Sequence, residues 1–156
     1  IDRFLFKLNM GYPERHEEKA ILSQNITLKY FEEYKIKKVL SPKKIIEIQN
    51  FAHKIYLSKD LEDYIVSIVN ASREKNKLKL GKYIEYGASP RASIGLFIAS
   101  KADALLRGES FVTPQNIKNI ANDVLRHRIL LNYEGQAENI KTDDIIKEML
   151  TTIPIP

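Results

Sequence analysis

Ser89-Pro90-Arg91-Ala92-Ser93-Ile94-Gly95-Leu96-Phe97-Ile98-Ala99-Ser100-Lys101-Ala102-Asp103-Ala104-Leu105-Leu106-Arg107-Gly108 reads as one helix with both ends marked. The Ser89 hydroxyl can accept a bond from an orphan amide of the first turn, and Pro90 at the first helical position gives up a donor that has no partner there. Gly108 falls one step past Arg107, where a left-handed cap belongs. Between the caps, Ile94, Leu96, Phe97, Ile98, Leu105 and Leu106 leave only a narrow polar strip, which predicts the most buried helix of the chain. Ala92, Gly95, Ala99 and Ala102 are small enough for neighbouring helices to approach closely.

The same punctuation recurs on both sides. Ser41-Pro42 and Thr113-Pro114 each precede an apolar-periodic run, and Ser58-Lys59-Asp60 and Thr142-Asp143-Asp144 open others with acids in the first turn. The spacing predicts helices over 13–23, 42–56, 59–76, 90–107, 114–131 and 143–152. Ile117, Ile120, Ala121, Val124 and Leu125 make one stripe of the 114–131 helix. Residues 1–10 read as extended, Phe4, Phe6 and Leu8 alternating with Leu5 and Lys7. Residues 24–40 stay open: Leu28, Tyr30 and Phe31 are apolar, and Ile36 to Leu40 could form a short strand. Lys79 to Gly87 reads as a loop. The fold class is mainly α, a small helical bundle with a short N-terminal strand that lacks its sheet.

Composition narrows the function classes. The 156 residues suit one compact domain. A hydrophobic fraction of 44% with 29% charged residues is wrong for a disordered chain or a fibre. There is no cysteine, which excludes a disulfide scaffold, a thiolate zinc site and a cysteine nucleophile, and fits a reducing, cytoplasmic compartment. No apolar run approaches the length of a membrane span. The first residue is Ile1 and the chain starts in mid-pattern, so a fragment of a longer protein is the expectation. Lysines and arginines exceed acids by 25 to 20, concentrated over Lys29–Lys44 and Arg73–Lys82. Such clusters can attract a phosphate polymer, and Tyr30, Phe31 and Tyr34 could stack on bases, but Glu32 and Glu33 interrupt the first cluster. A basic helical nucleic-acid-binding or protein-interaction module is therefore the alternative function, and a solvated lysine face is the simpler reading.

Most catalytic patterns are missing. Gly81-Lys82 is followed by Tyr83, so it is no phosphate loop, and no dinucleotide fingerprint or nucleophile elbow occurs. His16, His53 and His127 lie far apart without metal-ligand spacing, and no metal site is expected. Two arginine sites remain. Arg91 stands in the first turn of the central helix, where the macrodipole disfavours a cation. It reads equally as an ordinary exposed arginine or as one half of an anion site. In Arg126-His127-Arg128, Arg128 continues the apolar stripe of its helix, and a cation there must be paired or must snorkel.

Taken in order, Asp2-Arg3-Phe4, Gly11-Tyr12-Pro13, Gly87-Ala88-Ser89-Pro90-Arg91-Ala92-Ser93, Ala102-Asp103-Ala104-Leu105-Leu106-Arg107-Gly108, Phe111-Val112-Thr113-Pro114 and Val124-Leu125-Arg126-His127-Arg128 resemble the C-terminal part of the MoxR family of AAA+ ATPases. The ending Ile153-Pro154-Ile155-Pro156 is similar to the family's finish. The likeness runs along essentially the whole chain.

The resemblance implies an AAA+ lid over residues 13–156 and, over residues 1–12, the end of the ATPase core with its last strand and linker. It implies that Arg91 is the sensor 2 arginine, which contacts the terminal phosphates of the nucleotide. It implies that Arg3 is an arginine finger toward a neighbouring subunit, the other reading being a structural core arginine. Arg126, His127 and Arg128 match a family motif whose role the sequence does not give. Phosphate loop, Walker B acid and sensor 1 belong to the missing N-terminal ATPase core, so the fragment is expected not to hydrolyse ATP alone. The full-length protein would use ATP and Mg²⁺ as a chaperone-like ATPase, a homo-hexamer that remodels or matures partner proteins. Proteins with a von Willebrand factor A domain are among the partners the resemblance suggests.

Overall fold

A computed structural model of the chain describes residues 1–25 and 30–156. Leu28 and Lys29 of the sequence reading lie outside the described residues. Among those described, the helices are α1 (Arg15–Asn25), α2 (Pro42–Lys54), α3 (Lys59–Ala71), α4 (Pro90–Leu106), α5 (Pro114–Leu125), α6 (Tyr133–Ala137) and α7 (Thr142–Thr152). Two short strands, β1 (Ile84–Tyr86) and β2 (Leu130–Leu131), pair antiparallel, Ile84 opposite Leu131. The mainly α class therefore stands.

The described residues divide into two compact units, Ile1–Lys7 with Gln49–Pro156, and Leu8–Ile48. The smaller unit holds α1, a 3₁₀ turn at Phe31–Tyr34 and the first part of α2. Residues 36–40 form no strand there. Its apolar side chains Ile21, Leu22, Ile36, Val39, Ile45 and Ile46 are exposed. The larger unit holds the core, built from Leu61, Ile65 and Ile68 of α3, Ala92, Leu96 and Ala99 of α4, Ile117, Ala121 and Val124 of α5, and Ile145, Ile146 and Met149 of α7.

The helix caps form as the sequence demands. Ser58, Ser89 and Thr113 accept first-turn amides, and Thr113 with Asn116 completes a capping box. Gly108 is left-handed at φ 75°, and the Glu109 amide returns to the Ala104 carbonyl at 2.9 Å. Thr142 lies inside α7 and Lys141 precedes it without a side-chain cap.

Several expected boundaries move, each for a local reason. The helix expected over 59–76 ends at Ala71, because the Ser72 hydroxyl donates to the Val69 carbonyl at 2.6 Å and accepts the Ala88 amide at 2.9 Å. The helix expected over 114–131 ends at Leu125, since Arg126–Arg128 turn out of the helical path and Leu130–Leu131 pair with β1. The stretch read as a loop over 79–87 thereby contains a strand and a 3₁₀ turn at Leu80–Tyr83. Asn132 then starts α6, its side chain accepting the Gly135 amide at 2.9 Å. α4 is less enclosed than expected: Ile94 is 58% exposed and Ile98 47%. The N-terminal segment is not a strand in this structure. Residues 1–5 turn, with the Phe4 amide on the Ile1 carbonyl at 3.0 Å, and no ladder partner follows.

Candidate functional site

None of residues 1–7 is fully buried, and Leu5 and Phe6 are half-covered, Leu5 beside Gly95. Polar contacts from the end of α5 do most of the holding. Arg128 has a side chain only 3% exposed. Its Nε donates to Asp2 Oδ1 at 3.1 Å, its Nη2 to the carbonyls of Asp2 at 3.2 Å and Phe4 at 2.7 Å, and its Nη1 to the Leu5 carbonyl at 3.2 Å and to that of Val124. The planar fork of arginine suits this, because five N–H donors point in fixed directions. His127 Nε2 lies 2.9 Å from the same Phe4 carbonyl, so that nitrogen carries the proton and donates. Arg126 Nη1 donates to the Lys7 carbonyl at 2.6 Å, and the Lys7 amide donates to the Asp123 carbonyl at 2.9 Å.

The motif Arg126-His127-Arg128 is thus a clamp on the N-terminal segment. Its charges are paired, as the packing face required. Arg126 meets Asp143 at 3.0 Å and Asp123 at 2.6 Å. Burial works against the Arg126 charge, but Asp143 and then Asp123 outweigh it and push its pKa up. For Arg128 burial dominates and pulls the pKa down, Asp2 opposes it, and the neighbouring charge of Arg91 adds to the lowering. An arginine keeps its proton under such a shift.

Arg91 sits at the start of α4, its side chain 62% exposed and its Nη1 3.7 Å from Asp2 Oδ2. Ser89 links the two: its Oγ accepts the Arg91 amide at 3.3 Å and donates to Asp2 Oδ2 at 3.1 Å. Arg3 is exposed and, among the described residues, has no ion-pair partner. Arg3 and Arg91 line one shallow cleft of about 160 Å³ together with Asp2, Arg128, Leu5 and Gly95. The two arginines singled out by sequence, 88 positions apart, therefore share a wall. The cleft brings three arginines and one acid beside the apolar side chains of Leu5, Ile94 and Ile98, and the buried Arg128 fork is already engaged. A local excess of positive charge with partly exposed forks has the chemistry to take an anion with several oxygens, such as a phosphate.

Gly95 makes this closeness possible. A Cβ built there would stand 3.0 Å from Val124 Cγ1, 3.5 Å from Leu5 Cδ1 and 3.7 Å from Arg128 Nη1. The small residue anticipated for helix approach lets α4 meet α5 and the N-terminal segment at one point. Asp2 is the residue that sequence reasoning did not single out. A signal existed: Arg128 on a packing face needed a carboxylate, and Asp2 adjoins Arg3. The Arg73–Lys82 cluster contributes no residue to this cleft. Lys77 pairs with Glu74 at 2.5 Å, Lys82 with Glu134 at 3.7 Å and Lys44 with Glu47 at 3.1 Å. Among the described residues, no helix is long and apolar enough to cross a membrane.

Comparison with known proteins agrees with this architecture. The family model described as the AAA lid domain matches residues 80–149, which include Arg91 and the clamp. Chaperone MoxR1 of Mycobacterium tuberculosis is 36% identical over 159 residues, covering 99% of this chain and 41% of that protein. The Bacillus subtilis protein YeaC is 33% identical over 156 residues, covering 100% of this chain and 46% of that protein. A crystal structure of a chain described as an ATPase, from Cytophaga hutchinsonii, superposes with a TM-score of 0.89 at 35% identity, over 99% of this chain and 47% of that one. The chain spans less than half the length of these relatives. With a helical lid that carries the Gly-Ala-Ser-Pro-Arg-Ala stretch on α4 and likeness along its whole length, the chain belongs to the MoxR family of AAA+ ATPases, as a C-terminal lid portion.

Proposed function

We propose that residues 13–156 are the lid, and residues 1–12 the end of the ATPase core, of a cytoplasmic ATP-hydrolysing machine. In it Arg91 serves as sensor 2 and Arg3 as arginine finger. The observation that carries this is the shared cleft: Arg3 and Arg91, both exposed, border it together. The residues fit a phosphate, since two exposed forks outnumber the single acid beside them. ATP with Mg²⁺, bound chiefly by the rest of the full-length protein, supplies the phosphoryl group and its countercharge. This chain contributes positive charge where charge builds on the transferring group. Arg91, on the rigid α4, also reports through the lid whether a terminal phosphate is present, and nucleotide state thereby biases lid position. That coupling drives remodelling or maturation of partner proteins. Assembly as a homo-hexamer and partners with a von Willebrand factor A domain belong to the same proposal.

Arg3 gives the test. In the full-length protein Arg3→Ala is expected to abolish hydrolysis while nucleotide affinity stays near that of the parent. Mixing Arg3→Ala subunits into parent assemblies is expected to silence a neighbour's site as well as diluting activity. Loss of folding or of nucleotide affinity in Arg3→Ala would assign the residue to the core and defeat the finger.

A further inference from the structure

Asp2 accepts from two donors and pairs with a third, cationic group. Arg128 reaches Oδ1 at 3.1 Å, while the Ser89 hydroxyl at 3.1 Å and Arg91 at 3.7 Å reach Oδ2. Arg128 is itself fixed by backbone carbonyls on both sides of Arg3, those of Asp2 and Phe4. The plane of the Asp2 carboxylate is therefore set by a buried group, and its second oxygen is turned to the first turn of α4. We propose that Asp2 is a positioning residue for phosphoryl transfer, holding Arg91 over the cleft and fixing the backbone from which Arg3 projects, so that both guanidinium groups address one phosphate. This rests on the phosphate reading of the cleft given above.

Two features separate this role from ordinary stabilisation. The Arg91–Asp2 pair is long, with side chains 62% and 41% exposed, and pairs of that kind add little to stability. Such a contact orients the fork without sequestering it, so an arriving phosphate can share Arg91 with Asp2. The second feature is charge. Arg3, Arg91 and Arg128 border a cleft of about 160 Å³, and Asp2 is the acid among its lining residues. Without that carboxylate the long, exposed Arg91 arm is repelled by Arg128 and moves out to solvent.

The test is a double-mutant cycle on ATP turnover in the full-length protein, combining Asp2→Asn with Arg91→Ala. Asp2→Asn, measured on folded protein, is expected to lower kcat about tenfold, with nucleotide affinity changed by less than about threefold. In the Arg91→Ala background, adding Asp2→Asn is expected to cost clearly less than the about tenfold it costs the parent, because residues acting as a unit are not additive. Asp2→Glu, which keeps the charge, is expected to restore part of the loss. Normal turnover in Asp2→Asn, or full additivity while Arg91→Ala is impaired, overturns the positioning role and leaves the phosphate reading standing. Normal turnover in Arg3→Ala and in Arg91→Ala overturns that reading and this one with it. Should Asp2→Asn cost the fold, the same cycle run with Asp2→Glu decides in the same terms.

Discussion

Replacing Arg128 by alanine should release the N-terminal segment while leaving the helical core in place. Ordering a residue costs about 1–2 kcal/mol of backbone entropy, so a seven-residue segment with only Leu5 and Phe6 half-covered stays down largely through its polar contacts. Arg128 supplies four of these, to the Asp2 carboxylate and to the carbonyls of Asp2, Phe4 and Leu5. Hydrogen bonds to a charged group contribute about 1.5–3 kcal/mol each, so the four sum to about 6 kcal/mol at the lower figure, comparable with the ordering cost. What remains is the contact of His127 with Phe4, those of Ser89 and Arg91 with Asp2, and the two contacts of Lys7 with Arg126 and Asp123. The Lys7 amide, bonded to the Asp123 carbonyl, reports the opening directly. In hydrogen exchange on the 156-residue chain, Arg128→Ala is expected to cut its protection at least about a hundredfold, a change of about 2.8 kcal/mol in local opening free energy. Amides of α4 and α5 should keep most of their protection. Arg128→Lys should lie between, since one ammonium can meet Asp2 but cannot span the three carbonyls. A Lys7 amide as protected in Arg128→Ala as in the parent would refute the clamp.

Gly95→Ala puts a Cβ 3.0 Å from Val124 Cγ1; overpacking there costs about 1–3 kcal/mol and the helix gain of alanine inside α4 offsets about 0.5–1 kcal/mol of it, so the thermal midpoint should fall by a few degrees. A midpoint raised by the full helix gain would mean that Val124 does not press on α4 there. Asp103 supplies the pH dependence. Burial alone would raise its pKa, but hydrogen bonds from Arg107, Asn116 and Asn119 outweigh it and hold the carboxyl below its usual range. A depressed folded pKa gives stability that is fully present above the unfolded value of about 3.9 and is lost as pH falls through the folded value. Asp103→Asn should therefore be less stable than the parent at neutral pH in urea titration, and the gap should close below about pH 4. A gap that stays constant down to pH 2 would contradict the assignment.

The sequence carried the helices well because their ends are chemically marked. Ser58, Ser89, Thr113 and Gly108 cap as their types require, and α4 and α5 start where Pro90 and Pro114 place them. It carried the stops poorly. Nothing local says that Ser72 ends α3, because the decisive partner is the Ala88 amide sixteen residues away. Leu130 and Leu131 are as apolar as a helix face, and only pairing with Ile84 and Tyr86 makes them a strand. The candidate site was legible in part. Arg91 was conspicuous as a cation at a helix start, and Arg128 as one on a packing face. Asp2 was not, because its meaning depends on contacts 87 and 126 positions along the chain. The exposure of Ile94 and Ile98 was hidden for a different reason, since apolar composition does not say which face finds a neighbour.

Turnover of ATP by the full-length protein carrying Arg91→Ala tests the central claim most directly. The arginine is 62% exposed and its ion pair is long, so the variant should fold and melt like the parent. Losing a charge-assisted contact of about 1.5–3 kcal/mol to phosphate should lower turnover at least about tenfold, and Arg91→Lys should recover only part of it. Parent-like turnover in Arg91→Ala, measured on folded protein, would contradict the claim that this lid reads a nucleotide phosphate.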